Sequence, residues 1–530
     1  MSARRRLTRR QFVRCAAAGA ASGYWLGCAA PGPRAAAPLT REEAAVQQGD
    51  WDGLAGICVQ RIRRSGAEYG DIRLIETVRH VIRGQDGRIE DVRETRDAGF
   101  GVRVLYGGGW GFAASPIFTP EEVRATTELA IEIARASATL ALEPVRLAPE
   151  PPHQDAVASP REIDPFSVPL EQKTGLLLAA MEAMQKVEGI RRTRASLWAQ
   201  RDLKMFASTE GALVAFDLLA SHGAIGATAV CAGRFASREH DTPHLRAGWE
   251  LIRDANFERE ATRVAEQAVE KCQAPAVEAG EYDLVLDPAH LALTIHESCG
   301  HPSELDRALG YEANYAGTSF LTPEKLGRFR YGSPQVSLVA DNTEPGGLAS
   351  TGYDDDGVAG QRWDIVREGV FAGYSTNREV APKIGEGRSR GSCRADGWSS
   401  IPILRIANVG LEPGAGTLDD LIGDVKRGIY IEGAGSFSID QKRYNFQFGG
   451  DAFWLIENGQ RKHMLRDVIY TGITPEFWGS CDAVADRAHR RMFGFITCGK
   501  GQPGQSGWMT HAASPARFRG VNVIRGATAS

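Results

Sequence analysis

The sequence predicts an α+β protein. Residues 51–275 read as an N-terminal domain of antiparallel sheet with flanking helices, and residues 276–530 as a β-rich, barrel- or sandwich-like domain. Three observations lead there. Helix-start signals and long amphipathic stretches are concentrated before residue 275. The strand-like runs among them are joined by glycine-bounded turns, which suit antiparallel hairpins. Beyond Pro275 and Gly280 the chain is glycine-rich, with short β-like runs and few helix signals.

The elements follow in order. Trp51–Arg64 is a helix candidate. Ile72–Val78 reads as a strand, Gly84-Gln85-Asp86-Gly87 as a turn and Arg88–Val92 as the returning strand. Gly99–Tyr106 and Gly109–Ala113 form a hairpin. Thr119-Pro120-Glu121-Glu122 starts a helix running to about Leu140: a capping hydroxyl, proline at the first helical position and acids in the first turn. Seven prolines across residues 144–169 mark a connection rather than a regular element. Leu170, Leu177, Met181 and Met184 give the next helix its core face. Alternating strands over 192–233 and a helix over 256–273 complete this part. In the second part Tyr282–Leu286, Gln335–Val339, Ile403–Val409 and Ala452–Glu457 read as strands, and Leu418–Lys426 as a short helix.

The N-terminus stands apart. Residues 1–34 hold seven arginines and no acid around the short apolar stretch Cys15–Ala30, which is too short to span a membrane. Thr8-Arg9-Arg10-Gln11-Phe12-Val13-Arg14 is similar to a twin-arginine export signal. It predicts an exported, periplasmic or extracytoplasmic protein, with residues 35–50 as a flexible lead-in. Leu26-Gly27-Cys28 is similar to the end of a lipobox, with Cys28 as a lipid-anchor candidate and Trp25 where leucine is usual. Removal through Gly27 takes six arginines and moves the net charge from −4 to −10. Such a balance gives no reason to expect nucleic acid. A hydrophobic share of 43% and a charged share of 24% suit a soluble globular chain. The nine cysteines are dispersed with no C-x-x-C pair, so no zinc ribbon is indicated, and spacing does not assign disulfides.

The most informative stretch is His296-Glu297-Ser298-Cys299-Gly300-His301, after the apolar run Leu291–Ile295. Two imidazoles and a carboxylate can form the core of a hydrolytic metal site. The familiar H-E-x-x-H helix puts its histidines at i and i+4 on one face. Here the second is at i+5, roughly 140° around an α-helix, so the rings face apart. Sharing one ion requires a break, which Gly300 and Pro302 permit, or a π-like turn. The plainer alternative is a pair of surface or core histidines.

Further blocks make the chain resemble the TldD/PmbA metallopeptidases. They are Gly99–Val104 with Gly109–Ala113; His296–Asp306; Asp354-Asp355-Asp356-Gly357; Gly428-Ile429-Tyr430; Leu455–Gly459; and Thr497-Cys498-Gly499-Lys500-Gly501-Gln502, one residue shorter than the family's segment. Because the H-E-x-x-x-H motif is kept, the chain is similar to the catalytic TldD type rather than the motif-less TldE type. The resemblance implies Zn2+ held by His296, His301 and Cys498 in the second domain. Three protein ligands leave a fourth position for water, the catalytic arrangement. It further implies Glu297 as general base, cleavage of extended or unfolded peptides, and a homodimer or a heterodimer with a TldE/PmbA-like subunit. Glu304 and Asp306 are candidates to orient the imidazoles through their other ring nitrogens. Cys299 is a competing thiolate in the same loop. Asp354–Asp356 reads as a solvated turn, and Gly428–Glu457 as the edge where a substrate strand adds. The competing readings are a non-catalytic TldE-like scaffold and a structural metal or thiol redox site built on Cys299 and Cys498.

Overall fold

The computed structural model describes residues 51–526. The export signal, the lead-in and Cys28 lie outside the described residues. The first sheet has β1 (Tyr69–Gln85), β2 (Arg88–Tyr106), β3 (Gly109–Ser115), β4 (Gln154–Ala158), β5 (Ile190–Ser208), β6 (Leu213–Cys231) and β7 (Arg234–Asp241). Their order is β3-β2-β1-β5-β6-β4, with β7 also on β6. Neighbours are antiparallel except β4 with β6. The proline-rich connection is therefore not wholly irregular. β4 interrupts it, because five residues between its prolines are free to donate to a neighbouring strand.

Five helices accompany this sheet: α1 (Trp51–Ser65), α2 (Pro120–Ala138), α3 (Leu170–Gln185), α4 (Glu250–Asp254) and α5 (Phe257–Gln273). Thr119 caps α2 by accepting from Glu122 N, as its sequence predicts. Ile62 and Ala130 of α1 and α2 share a core with Leu74 and Val102; Leu177 and Ala265 of α3 and α5 share one with Leu197 and Ile225. A Cβ at Gly111 would lie 2.0 Å from Ala130 O, so only glycine lets α2 approach β3 this closely. Strand side chains alternate between faces. Ile72, Leu74 and Ile82 of β1 enter the helix-side cores. Arg73, on the opposite face, donates to Ser400 O at 2.6 Å in the C-terminal half. A disulfide joins Cys231, at the end of β6, to Cys272 of α5.

His222 and His244 stack with ring centroids 3.6 Å apart. Burial depresses both, His222 to about 4 and His244, which also feels His222, to about 3, from an ordinary 6.5. Their folded pKa values lie below the unfolded one, so between those limits the unfolded chain binds more protons. Stability from this pair is full above pH 6.5 and falls as pH drops towards 4. Both rings are partly open to water, so the loss should total only about 2 kcal/mol. Denaturant titrations at pH 7 and pH 5 should show it, and His222→Gln should flatten the difference.

The second half contains a nine-stranded sheet. Its order is β16 (Phe437–Ile439), β17 (Asn445–Phe448), β20 (Val468–Ile473), β24 (Ala516–Arg525), β8 (Gly280–Leu286), β15 (Arg427–Glu432), β18 (Ala452–Glu457) and β19 (Gln460–Leu465), with β21 (Cys481–Val484) also on β24. A six-stranded sheet runs β11 (Val370–Phe371), β10 (Arg362–Arg367), β9 (Leu338–Asp341), β14 (Val409–Leu411), β23 (Gln505–Ala513) and β22 (Arg491–Lys500). β12 (Cys393–Arg394) and β13 (Ile403–Leu404) pair separately. The helices are α6 (Pro288–Ile295), α7 (Leu305–Ala308), α8 (Leu418–Gly423) and α9 (Thr474–Gly479). The protein is thus mixed α+β, and among the described residues no sheet closes into a barrel.

The central feature of this half is α6. Leu291 and Ile295 share one core with Leu286 and Ile431 of the larger sheet and with Ala340, Val409 and Met509 of the smaller. The side chains of α6 from His290 to Ile295 are all buried, as a core helix requires, and its polar His290 and Thr294 are hydrogen-bonded to Tyr470. Asp287 caps it, accepting from His290 N at 2.7 Å, and Pro288 occupies its first turn.

Candidate metal centre

α6 runs directly into a π-helical turn over His296–Gly300, closed by a bond from His301 N to His296 O. This wider turn resolves the i+5 spacing. The His296 and His301 rings come together edge to face, with centroids 4.8 Å apart. The altered backbone is supported from outside. Tyr331 OH donates to Ser298 O at 2.9 Å, and Trp478 Nε1 donates to Ser298 Oγ at 2.9 Å. Pro302 then lies in a 3-10 turn over His301–Ser303 that leads the chain away.

Cys498 arrives on β22. The β22–β23 register shifts between Phe495 and Cys498, marking a bulge. Residues three apart on a regular strand face opposite ways; one extra residue restores them to the same side. Phe495 accordingly stacks on His296, with centroids 4.6 Å apart, while Cys498 Sγ lies 3.5 Å from His301 Nε2. One donor atom from each of His296, His301 and Cys498 lies within 4.8 Å of the others, and all three residues are buried.

Tautomers follow from the outer bonds. Val409 O can only accept, so His511 donates to it from Nδ1 at 3.0 Å and presents an unprotonated Nε2. That nitrogen accepts from His296 Nδ1 at 2.8 Å, which leaves His296 Nε2 with a free lone pair. His301 Nδ1 donates to Glu304 Oε2 at 2.9 Å, freeing its Nε2 in the same way. Burial, aided by neighbouring imidazoles and Arg443, holds His296 well below the usual histidine range. Burial does the same to His301, against the pull of Glu304. Both rings are neutral, which is the ligand form. Burial also raises the Cys498 thiol.

This donor set fits a divalent transition metal. A tetrahedral ion with bonds of about 2.0–2.3 Å holds its donors roughly 3.3–3.8 Å apart; the 3.5 Å Cys498–His301 pair already has that spacing. Two neutral imidazoles and a thiolate suit zinc better than calcium or magnesium.

Glu297, 5% exposed, pairs through its carboxylate with Arg443. Burial raises its carboxyl, and Arg443 pulls it partly back. Arg443 projects from the turn between β16 and β17, and its buried Nε finds no partner in the protein.

Several sequence expectations change here. Asp306 orients no imidazole: it accepts from Lys500 Nζ at 2.7 Å. Cys299 is fully buried in the apolar core and offers no ligand atom to the cluster. Asp354–Asp356 is not a solvated turn. All three residues are buried, Asp355 against Lys204 and Arg73, and Asp356 against Arg103. Within Gly428–Glu457, β15 and β18 are paired on both sides, so β16 is the only sheet edge in that span. His511, Arg443 and Lys500 escaped sequence reasoning; only Lys500 left a signal, as part of the quoted Cys-Gly-Lys block.

Fold and site together define a mixed α+β protein with a buried cluster of two histidines and a cysteine that could hold a metal ion. Models of the PmbA/TldA metallopeptidase C-terminal domain and domain 1 match residues 279–523 and 70–134. A metalloprotease of Methanothermobacter thermautotrophicus is 30% identical over 86% of this chain and 95% of its own length. A zinc metalloprotease TldD homolog of Saccharolobus solfataricus is 23% identical over 78% and 88%. The solved structure of TldE from Thermococcus kodakarensis matches with a TM-score of 0.65 at 18% identity, covering 88% of this chain and all of that one. The chain belongs to the PmbA/TldD metallopeptidase family.

Proposed function

We propose that the chain is a zinc-dependent peptidase that hydrolyses extended or unfolded peptides. The observation that carries this reading is the triad of His296, His301 and Cys498 beside an unligated, buried Glu297. When bound, the metal supplies Lewis acidity that polarises a scissile carbonyl and acidifies water. Glu297 accepts the proton of the attacking water at its carboxylate as the C–O bond forms. It then returns the proton to the departing amide nitrogen as the C–N bond breaks. Arg443 holds that carboxylate in place, and Phe495 fixes the plane of His296.

The test is metal analysis of purified protein beside His296→Ala and Cys498→Ala. Wild type should carry about one zinc per chain, and each variant should lose most of it, since a three-ligand site reduced to two loses its grip. Well-folded wild type with no stoichiometric metal would sink the reading.

We further propose that residues 51–275 and 276–530 act as two domains, and that a second copy or a TldE-like subunit completes the enzyme. The chain is proposed to be exported on the twin-arginine signal at residues 1–34. The Cys231–Cys272 disulfide supports an oxidising compartment. Among the described residues no helix is long and apolar enough to cross a membrane. A reporter fused to residues 1–50 should leave the cytoplasm, and Arg9→Lys with Arg10→Lys should retain it there.

A further inference from the structure

One short stretch of chain, from the end of β13 to the start of β14, touches the support of every candidate ligand. Leu404 O accepts from Lys500 Nζ at 2.8 Å, and that ammonium holds Glu304, the partner of His301. Ile406 packs on the π-turn, where a Cβ at Gly300 would lie 3.0 Å from Ile406 Cγ2. Val409 O accepts from His511, the partner of His296. Arg405, among them, reaches the strands that carry and face the third ligand, Cys498.

Strand pairing holds Cys498 only weakly. β22 is the edge strand of its sheet, so it has a neighbour on one side alone. The bulge between Phe495 and Cys498 breaks the pairing just before the cysteine. Beyond it only Cys498–Gly507, Gly499–Ser506 and Lys500–Gln505 pair before the chain turns. Arg405 secures this short piece. The residue is 1% exposed, and its guanidinium donates from Nη2 to Cys498 O and from Nη1 to Gln505 O, the latter at 3.0 Å. One planar fork thus ties both strands of the hairpin together. Its side-chain hydrogen bonds go to these two carbonyls and not to a carboxylate. Gly507, paired with Cys498, makes room for the fork: a Cβ there would lie 2.5 Å from Arg405 Cζ.

We infer that Arg405 is the positioning residue of the Cys498 ligand: by bridging Cys498 O and Gln505 O against Gly507, it fixes the direction in which the cysteine presents its sulfur to the metal. The carbonyl carbon of Cys498 is bonded to the same Cα that carries Cβ and Sγ. Holding that carbonyl sets the peptide plane, and with it the direction of the side chain. Without the fork, the bulged edge strand is free to turn, and Cys498 Sγ leaves its place 3.5 Å from His301 Nε2. A metal site tolerates little such error, since its donors must be held within about 0.5 Å of their working positions by the groups behind them. The inference rests on the metal reading proposed above, in which Cys498 is a ligand.

Cobalt absorption tests it on full-length protein, stripped with a chelator and reloaded with Co2+. A thiolate on cobalt gives a sulfur-to-metal charge-transfer band whose strength follows how the sulfur meets the ion. Wild type should show the band, and Cys498→Ser should lack it. Arg405→Met should weaken or shift the band per bound cobalt and lower Co2+ affinity about tenfold or more. Arg405→Lys keeps the charge but not the fork, so it should fall between. Gly507→Ala should reproduce the Arg405→Met spectrum, because its methyl displaces the guanidinium while the arginine stays in the chain. An arginine that served stability alone would, when replaced, lower the melting temperature and leave the band of bound cobalt as in wild type. A wild-type band and affinity in folded Arg405→Met would overturn the inference; if that variant does not fold, the same result in Arg405→Lys and Gly507→Ala does so. A wild type without the band, or a band that survives in Cys498→Ser, would overturn the metal reading itself and this inference with it.

Discussion

Glu297→Gln is expected to lower kcat/KM for peptide cleavage by about 10²–10⁴ while leaving metal content unchanged. The two halves of that result have separate physical origins. The Glu297 carboxylate takes no part in the bonds that hold His296, His301 and Cys498, so an isosteric amide leaves all three donors and their outer bonds in place. Gln can still accept from Arg443 through its amide oxygen, so the side chain is not set loose. What disappears is the capacity to hold a proton between water and the leaving nitrogen. The pH profile adds a second readout. A base must be deprotonated, so activity falls as pH drops through its pKa. Burial raises that pKa above the ordinary 4.5, and the Arg443 cation opposes the rise. Arg443→Met should therefore move the acid limb to higher pH, a shift that a merely structural arginine would not produce. Unreduced cleavage by Glu297→Gln would remove the general-base assignment.

The π-turn was legible because sequence alone contains the conflict: histidines at i+5 cannot share a face on an α-helix, and Gly300 and Pro302 mark where the backbone yields. Thr119-Pro120 likewise announced α2 through local capping chemistry. Local signals stop at the residues the site borrows. His511 is placed by the parallel pairing of β14 with β23, a contact between strands far apart in sequence. Arg443 reaches Glu297 from a hairpin turn whose φ of +64° no pattern foretold. Asp354–Asp356 misled for the same reason. Three consecutive acids look solvated until β1, β2 and β5 bring Arg73, Arg103 and Lys204 to them. β4 was hidden by its proline-rich setting, since its partner β6 lies beyond α3 and β5.

Lys500→Met should be the most damaging single change away from the ligands, at about 3–5 kcal/mol of stability, as expected when one member of a buried ion network is removed. Lys500 is fully buried and uses all three ammonium protons: on Glu304 Oε1 at 3.0 Å, Asp306 Oδ1 at 2.7 Å and Leu404 O at 2.8 Å. Without it two buried carboxylates face each other across apolar surroundings. Glu304 is held well below the usual range against its own burial, chiefly by Lys500 and then by His301. Loss of the cation raises its affinity for a proton. A protonated Glu304 is a poorer acceptor for His301 Nδ1, so the imidazole becomes a weaker donor. Metal affinity should fall by about 10–100-fold, as for other lost outer partners of ligand histidines. The deficit should deepen as pH drops, because acid favours the protonated carboxyl. Lys500→Met with Asp306→Leu should recover much of the stability, since Glu304 then keeps Arg307 and His301 without a facing charge. Denaturant unfolding together with metal titration at pH 8 and pH 6 reads both effects. A Lys500→Met protein within about 1 kcal/mol of wild type, with unaltered metal affinity, would show that Glu304 does not need this ammonium to hold His301.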